Sequence, residues 1–93
     1  MATKVTFPKG GEGFQAEVKI GENLHLILRA VYGTAVGPTM SIYDVKAHKW
    51  RPPAWAADID DAKIQAEGIA RALHKKVCPD AQFPELDWQS IQL

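Results

Sequence analysis

The stretch FQAEVKIGENLHLILRAVY, residues 14–32, decides the fold. From Phe14 to Ile20 apolar and polar residues alternate strictly, which predicts a strand with one buried face. Residues 21–23 then predict a three-residue hairpin loop, a type I turn followed by a left-handed position that Asn tolerates. This loop pairs Ile20 with Leu24 and keeps the apolar residues of both strands on one side of the sheet.

The second strand is predicted from Leu24 to about Tyr32, and its apolar content favours the central position in the sheet. The residues expected to face inward are Leu24, Leu26, Leu28 and Ala30. Those expected to face the other way are His25, Ile27, Arg29 and Val31. Residues 33–39 are rich in turn-forming types. A third strand is therefore expected from Ser41 to about Lys49.

The register of the third strand is inferred from charge. Placing Leu28 opposite Val45 sets Arg29 against Asp44, and cross-strand pairs of opposite charge stabilise a sheet. The same register sets His25 opposite His48. Two prolines come next, at 52 and 53, and these are expected to end the sheet because proline cannot donate to a ladder.

A helix is predicted from Asp58, as its N-cap, to about Val77. Its apolar stripe toward the sheet consists of Ala62, Ala66, Ile69, Ala70, Leu73 and Val77. The side expected to face solvent consists of Lys63, Glu67, Arg71, His74 and Lys75. Gly68 lies beside the stripe. Either a close contact of the helix requires glycine there, or the helix simply tolerates it.

These elements predict one α+β domain over residues 1–93, a three-stranded antiparallel meander packed on one long helix (βββα). Residues 1–13 form a flexible lead into the sheet, 14–49 the sheet, 58–77 the helix and 78–93 an aromatic tail. The tail contains large apolar residues in a polar setting. Three paths are open to it: across the sheet, into a short helix from Pro84, or over a second copy of the chain.

Charge and composition restrict the classes of function. Eleven Lys and Arg balance eleven Asp and Glu, so no global field favours nucleic acid, anionic lipid or a basic partner. Cys78 is alone, which fits a reducing compartment and excludes a disulfide framework. The sequence shows no signal peptide and no run of 18 apolar residues. We expect a cytoplasmic protein, with a homodimer as one option.

No motif carries recognisable catalytic chemistry: the sequence has no nucleophile elbow, zinc-protease motif, phosphate-binding loop or dinucleotide fingerprint. We therefore expect no enzyme and no cofactor. His25 opposite His48 offers two metal ligands. Zinc sites in proteins usually have three or four protein ligands, and no third is evident, so no metal site is predicted.

Two features are candidate binding surfaces. The first is the outward side of the sheet, where basic residues surround Ile27, Val31 and Ile42; these residues are Lys19, His25, Arg29, Lys46 and His48. The second is the set of tryptophans, Trp50, Trp55 and Trp88, because tryptophan is favoured where proteins bind. Each feature also has an interpretation without a binding role. The sheet face could simply be solvated, and the tryptophans could simply complete the core.

Three strands, then a helix, with exposed basic residues on the sheet over Phe14–Val77, resemble the N-terminal DNA-binding domains of tyrosine integrases and related plant-type modules. The resemblance implies a sheet laid in the major groove. Small size without catalytic motifs is also similar to phage and mobile-element proteins, including anti-CRISPR inhibitors. We expect a binding protein that acts by protein–protein contact, with a nucleic-acid-binding module as the alternative.

Overall fold

A computed structural model describes the chain over residues 12–33 and 37–91. Its elements are β1 (Glu12–Ile20), β2 (Leu24–Gly33), β3 (Gly37–Asp44), β4 (Lys49–Trp50), β5 (Ala54–Trp55), α1 (Ile59–Val77) and β6 (Gln89–Ser90). The sheet is antiparallel with the order β4-β3-β2-β1-β6, and β5 also pairs with β3. An α+β architecture with an antiparallel sheet and one helix is thus confirmed. The sheet contains more strands than the predicted three.

The first hairpin confirms the predicted register. Ile20 pairs with Leu24, and Leu24, Leu26, Leu28 and Ala30 are all buried on the side of α1. The turn differs in its geometry. The residue with positive φ is Gly21 (φ 55°), not Asn23, and the Asn23 N–H donates to the Ile20 carbonyl at 3.3 Å. Glycine at the first central position of a turn suits this conformation because it has no Cβ.

The predicted register of β3 is wrong. Leu28 lies opposite Ile42 and not Val45, a shift of three residues. An odd shift exchanges the two faces of a strand, so Ile42 points toward α1 and is fully buried, as is Met40 at 3% exposure. Burying two large apolar side chains stabilises the fold by about 1.5–3 kcal/mol each, which exceeds the ~0–1 kcal/mol of an exposed ion pair.

The shift also changes the chain after β3. The strand begins at Gly37 and ends at Asp44, and Val45–His48 form a turn with His48 at φ 58°. The Asp44 carboxylate accepts a hydrogen bond from the Ala47 N–H at 3.1 Å instead of facing Arg29. Arg29 lies opposite Ser41. His48 is therefore not opposite His25, and the predicted pair of histidines does not form.

The prolines interrupt the sheet without ending it. Tyr43 pairs with Trp50 and Thr39 with Trp55, so β3 advances four residues while its partner advances five. One extra residue in the partner strand is the definition of a β-bulge. Pro52 and Pro53 lie within it, at the edge of the sheet where a missing N–H is tolerated.

Helix α1 covers the inward face of β2 and β3. Asp58 caps it by accepting from the Asp61 N–H at 2.8 Å, and Ala62, Ala66 and Ala70 are fully buried. The predicted stripe fails at Val77, which is 45% exposed at the last turn. A methyl group at Gly68 would meet nothing within 4 Å, so tolerance rather than close contact explains this glycine.

The tail takes none of the three predicted paths, because it runs alongside β1 as an edge strand and does not cross the sheet. Gln89–Ser90 pair with Phe14 and Gln15 at the free edge of β1, after Phe83, Leu86 and Trp88 have packed on the core. Phe83 of the tail and Phe14 of β1 contact three helix residues that were predicted to face solvent. Lys63 Nζ lies 4.0 Å from the Phe14 ring centroid, Arg71 Cζ lies 4.4 Å from that of Phe83, and His74 also contacts Phe83.

Two further expectations concern the ends of the chain and its setting. Of the predicted flexible lead, residues 1–11 lie outside the described residues, whereas Glu12 and Gly13 belong to β1. Within 12–33 and 37–91, no helix has both the length and the apolar character needed to cross a membrane.

Candidate binding surface on the outer face of the sheet

The side of the sheet opposite α1, here called the outer face, carries the candidate site. Within the described part of the chain no helix packs on it. Strands β1 to β3 place on this face Gln15, Glu17, Lys19, His25, Ile27, Arg29, Val31, Thr39, Ser41 and Tyr43. Most of these side chains are half-buried by their neighbours, while Glu17 and Lys19 are exposed.

Aromatic rings and the Arg29 guanidinium meet on the β3 side of the outer face. We call this group, Arg29, Tyr43, Trp50 and Trp55, the aromatic–arginine patch. The Tyr43 and Trp50 ring centroids are 5.1 Å apart, and Arg29 Cζ lies 5.3 Å from the Trp50 centroid. The Arg29 Nε–H also donates to Gln15 Oε1 at 2.9 Å, so one hydrogen bond and one cation–π contact hold its guanidinium.

Two tryptophans of this patch are largely in solvent. Trp50 is 47% exposed and Trp55 is 68% exposed, on an edge of the sheet where their rings close no core. Pairing with Thr39 places Trp55 on the outer face, and a Cβ at Gly37 would lie 3.9 Å from its ring. Surfaces that expose large apolar side chains together are commonly interaction sites.

A depression opens within the patch at the β-bulge. It has a volume of about 300 Å³ and is lined by Arg29, Ser41, Trp50, Arg51 and Pro53. The Arg51 N–H donates to the Ile42 carbonyl at 2.8 Å, which ties the backbone of the bulge to β3. The pairing of the strands therefore places Arg29, Ser41 and Trp50 on the outer face at this depression, whereas Arg51 lies opposite Ile42, which faces α1.

The opposite end of the outer face is acidic. A groove of about 360 Å³ runs between β1 and the tail and is lined by Gln15, Ala16, Glu17, Glu85, Asp87 and Gln89. The Glu17 carboxylate pairs with His25, which lies diagonally across from it on β2. The outer face thus has an acidic side at β1 and β6 and a basic, aromatic side at β3 and β4.

The sequence-predicted site residues are not all on one surface. Arg29 and Trp55 belong to the patch. Lys19 on β1 lies opposite His25 on β2, outside the patch. Lys46 and His48 lie in the exposed turn after β3. Trp88 packs on the core below β1, with Lys63 Nζ 5.8 Å from its ring centroid, so it does not share a face with the others.

One patch residue, Tyr43, was missed from the sequence because the wrong register assigned it to the inner face. Trp50 was among the candidate tryptophans but was expected to lie beyond the end of the sheet. The sequence signal that could have found Tyr43 is Ile42, a large apolar residue that the predicted register left on the outer face. A register that buries both Met40 and Ile42 gives β3 one apolar side. That register also turns Tyr43 outward.

Other cavities have poorer chemistry for a site. The one at the start of α1, about 630 Å³, is lined partly by Asp58, Asp60 and Lys63, and Asp58 is already used as the helix cap. Within residues 12–33 and 37–91, no three His, Cys, Asp or Glu side chains are grouped so that they could hold a metal ion.

Comparison with protein-family models, with curated proteins and with solved structures finds no significant match to this chain. A function is therefore inferred from the geometry of the outer face.

Proposed function

We propose that this chain is a non-enzymatic binding protein that contacts another protein through the aromatic–arginine patch, as an inhibitor or accessory factor. Tryptophan, tyrosine and arginine are the residue types most enriched at the energetic centre of protein interfaces. All three types lie here on one face of the sheet. Preorganised aromatic side chains lose little conformational entropy on binding, which favours affinity.

The observation that carries the proposal is the contrast among the three tryptophans. Trp88 is packed against the core, whereas Trp50 and Trp55 are exposed at 47% and 68%. Keeping two indole rings in water forgoes the stabilisation that burial of each would supply, about 1.5–3 kcal/mol for a large apolar side chain. A partner that covers them recovers this free energy.

A second candidate function is binding of single-stranded nucleic acid. The observation that favours it is a cation beside an exposed indole, Arg29 against Trp50, with Lys49 and Arg51 at neighbouring positions. Bases stack on such rings, and phosphates pair with the cations. Salt separates the two functions, because phosphate binding weakens steeply as salt rises and a largely apolar protein contact does not.

The test uses a photoreactive amino acid, benzoylphenylalanine, in place of Trp55, with a second variant that carries it in place of Ile64. Both side chains are 68% exposed, but Ile64 belongs to α1, which packs on the other face of the sheet. In lysate of the source cells, irradiation is expected to give a discrete protein adduct from position 55, resistant to nuclease, and none from position 64. Equal adducts from both positions, or an adduct that nuclease removes, would contradict the proposal.

A further inference from the structure

We propose that the uncovered edge of β1 pairs antiparallel with the same edge of a second copy of the chain, which joins the two sheets into one continuous sheet. This inference goes beyond the proposed function and does not rest on it. The edge lies on the side of the sheet away from Trp50 and Trp55. A dimer formed there leaves the aromatic–arginine patch of each copy open.

Strand β6 covers only the first part of this edge. It pairs with residues 14–15, and the Ile91 N–H donates to the Gly13 carbonyl at 2.9 Å. Backbone groups point alternately to the two sides of a strand, so the odd-numbered residues of β1 are directed to the edge. Among the described residues, the N–H and C=O groups of Glu17 and Lys19 have no backbone partner there. Such an edge is a template for another strand.

The side chains along the uncovered edge are sorted by face. Ala16 and Val18 are buried on the side of α1, and Ile20 packs partly on the core. Glu17 and Lys19 are exposed on the outer face. An added strand therefore meets an apolar row on one face and two opposite charges on the other.

These charges select one register for two identical strands. In an antiparallel pair related by a two-fold axis, the residue on the axis lies opposite its own copy. An axis at Glu17 sets two carboxylates against each other, and an axis at Lys19 does the same for two ammonium groups. Like charges directly opposite destabilise a sheet. An axis at Val18 sets Glu17 of each copy opposite Lys19 of the other.

The register centred on Val18 also suits the backbone and the core. Glu17 and Lys19 of opposite copies form hydrogen-bonded pairs, since the N–H and C=O groups of both are directed to the shared edge. Ala16 lies opposite Ile20 of the second copy, so apolar residues meet on the side of α1. A shift by one residue would exchange the faces and bring up backbone groups that already bond β2.

The acidic groove beside this edge has the charge to receive Lys19 of the second copy. Its volume is about 360 Å³, and its carboxylates are those of Glu17, Glu85 and Asp87. Within residues 12–33 and 37–91 Lys19 has no ion pair of its own. A lysine on an edge strand ordinarily discourages pairing with other chains. Here the groove of the second copy supplies the opposite charge.

Disulfide trapping tests the register. Two variants are prepared, Glu17→Cys and Lys19→Cys, one of them with an affinity tag; the native Cys78 is buried. Opposite residues of a hydrogen-bonded pair have Cα atoms roughly 5.5 Å apart, within reach of a disulfide. The mixed variants should therefore give a disulfide-linked heterodimer in air. Either variant alone should give none, because its cysteines are displaced by two residues along the strand, roughly 7 Å.

Charge reversal tests the contact without a cross-link. Lys19→Glu is expected to weaken the dimer roughly 10-fold or more in light scattering over a concentration series, because each Glu17 then lies opposite a second carboxylate. Adding Glu17→Lys to the same chain restores opposite charges and should restore the dimer. Lys46→Glu, in the exposed turn after β3, makes the same change of net charge and is the matched control. It should leave the association unchanged.

Three results would overturn this inference: a monomer at concentrations up to roughly 1 mM, equal cross-linking of either cysteine variant alone, or a double charge variant that stays dissociated. A monomeric chain that binds an extended peptide of alternating lysine and threonine would also overturn it, and would assign the edge to a basic segment of another protein. None of these results bears on the photoreactive adduct at position 55, so the two proposals fail separately. Unfolding curves confirm that each variant is folded before association is measured.

Discussion

Gly21 and Gly68 differ in what an alanine methyl group would cost. Gly21 has φ 55° in the first hairpin turn, a conformation that disfavours an L-residue by about 1–2 kcal/mol. Gly68 lies within α1 with open space around its Cβ position. Gly21→Ala is therefore expected to lower the free energy of unfolding in urea by about 1 kcal/mol. Gly68→Ala should raise it by about 0.5–1 kcal/mol, because alanine is the better helix former. Equal signs for the two changes would contradict this assignment of the turn.

The tryptophans give a second prediction at the scale of the residue. Trp88→Ala removes a partly buried ring from the core and is expected to cost about 2 kcal/mol of stability in urea unfolding. Trp55→Ala removes a ring that is 68% exposed and should change stability by less than about 0.5 kcal/mol. Similar losses for both would show that Trp55 is structural, which would remove the main support for the patch.

The sequence around each tryptophan does not predict whether its ring is exposed. Trp50 and Trp88 both lie in short polar or proline-containing stretches, and their surroundings depend on pairing with β3 and β1, far away in the sequence. Arg29 was a predicted site residue because strict alternation on β2 fixes its face. Sequence reasoning therefore found Arg29 from its strand period and Trp55 from its residue type. It missed Tyr43, whose face depends on the register of β3.

At the scale of the element, the start of α1 is held by two aspartates. Asp58 accepts from the Asp61 N–H, and the Asp61 carboxylate accepts from the Ala57 N–H at 2.8 Å and from Gln65 Nε2 at 3.0 Å. The backbone hydrogen bond from Ala57, followed by that from Gln65, lowers the pKa of Asp61 below its ordinary value of 3.8. Each bond stabilises the ionised form.

This lowered pKa predicts a pH dependence of stability. A carboxyl with a lower pKa in the folded state contributes stability that is complete above pH 3.8 and is lost as the pH falls through the folded value. Asp61→Ala should therefore be less stable than the wild type at pH 7, and the difference should shrink toward pH 2. Urea unfolding of both proteins across this range measures it. A difference that does not change with pH would mean that the charge of Asp61 has no part in the cap.

Elements with strict periodicity were predicted well, and those without it were not. Strands β1 and β2 and helix α1 carry long alternating or helical patterns, and their bounds are close to the prediction. For β3, a charge pair between Arg29 and Asp44 was given more weight than the burial of Met40 and Ile42, and the register failed. Strands β4, β5 and β6 have two residues each, too few for any period to be detected.

At the scale of the whole molecule, the two edges of the sheet are covered differently. The bulged strands β4 and β5, with two prolines between them, cover β3. On the other side, β6 pairs with only two residues of β1, while Phe83, Leu86 and Trp88 fill the space beside α1. Proteins protect edge strands in such ways because unpaired N–H and C=O groups recruit other chains.

The cover on β1 predicts the effect of shortening the chain. A chain that stops at Glu85 lacks Leu86, Trp88 and β6, so it loses apolar contacts with the core and exposes the edge of β1 at Phe14 and Gln15. We expect a loss of about 2–4 kcal/mol in urea unfolding and concentration-dependent association in size-exclusion chromatography with light scattering. A chain that stops at Ile91 retains every one of these contacts and is the matched control. It should match the full chain in both measurements. If the shorter chain is equally stable and does not associate, the C-terminal segment neither closes the core nor protects the edge of β1.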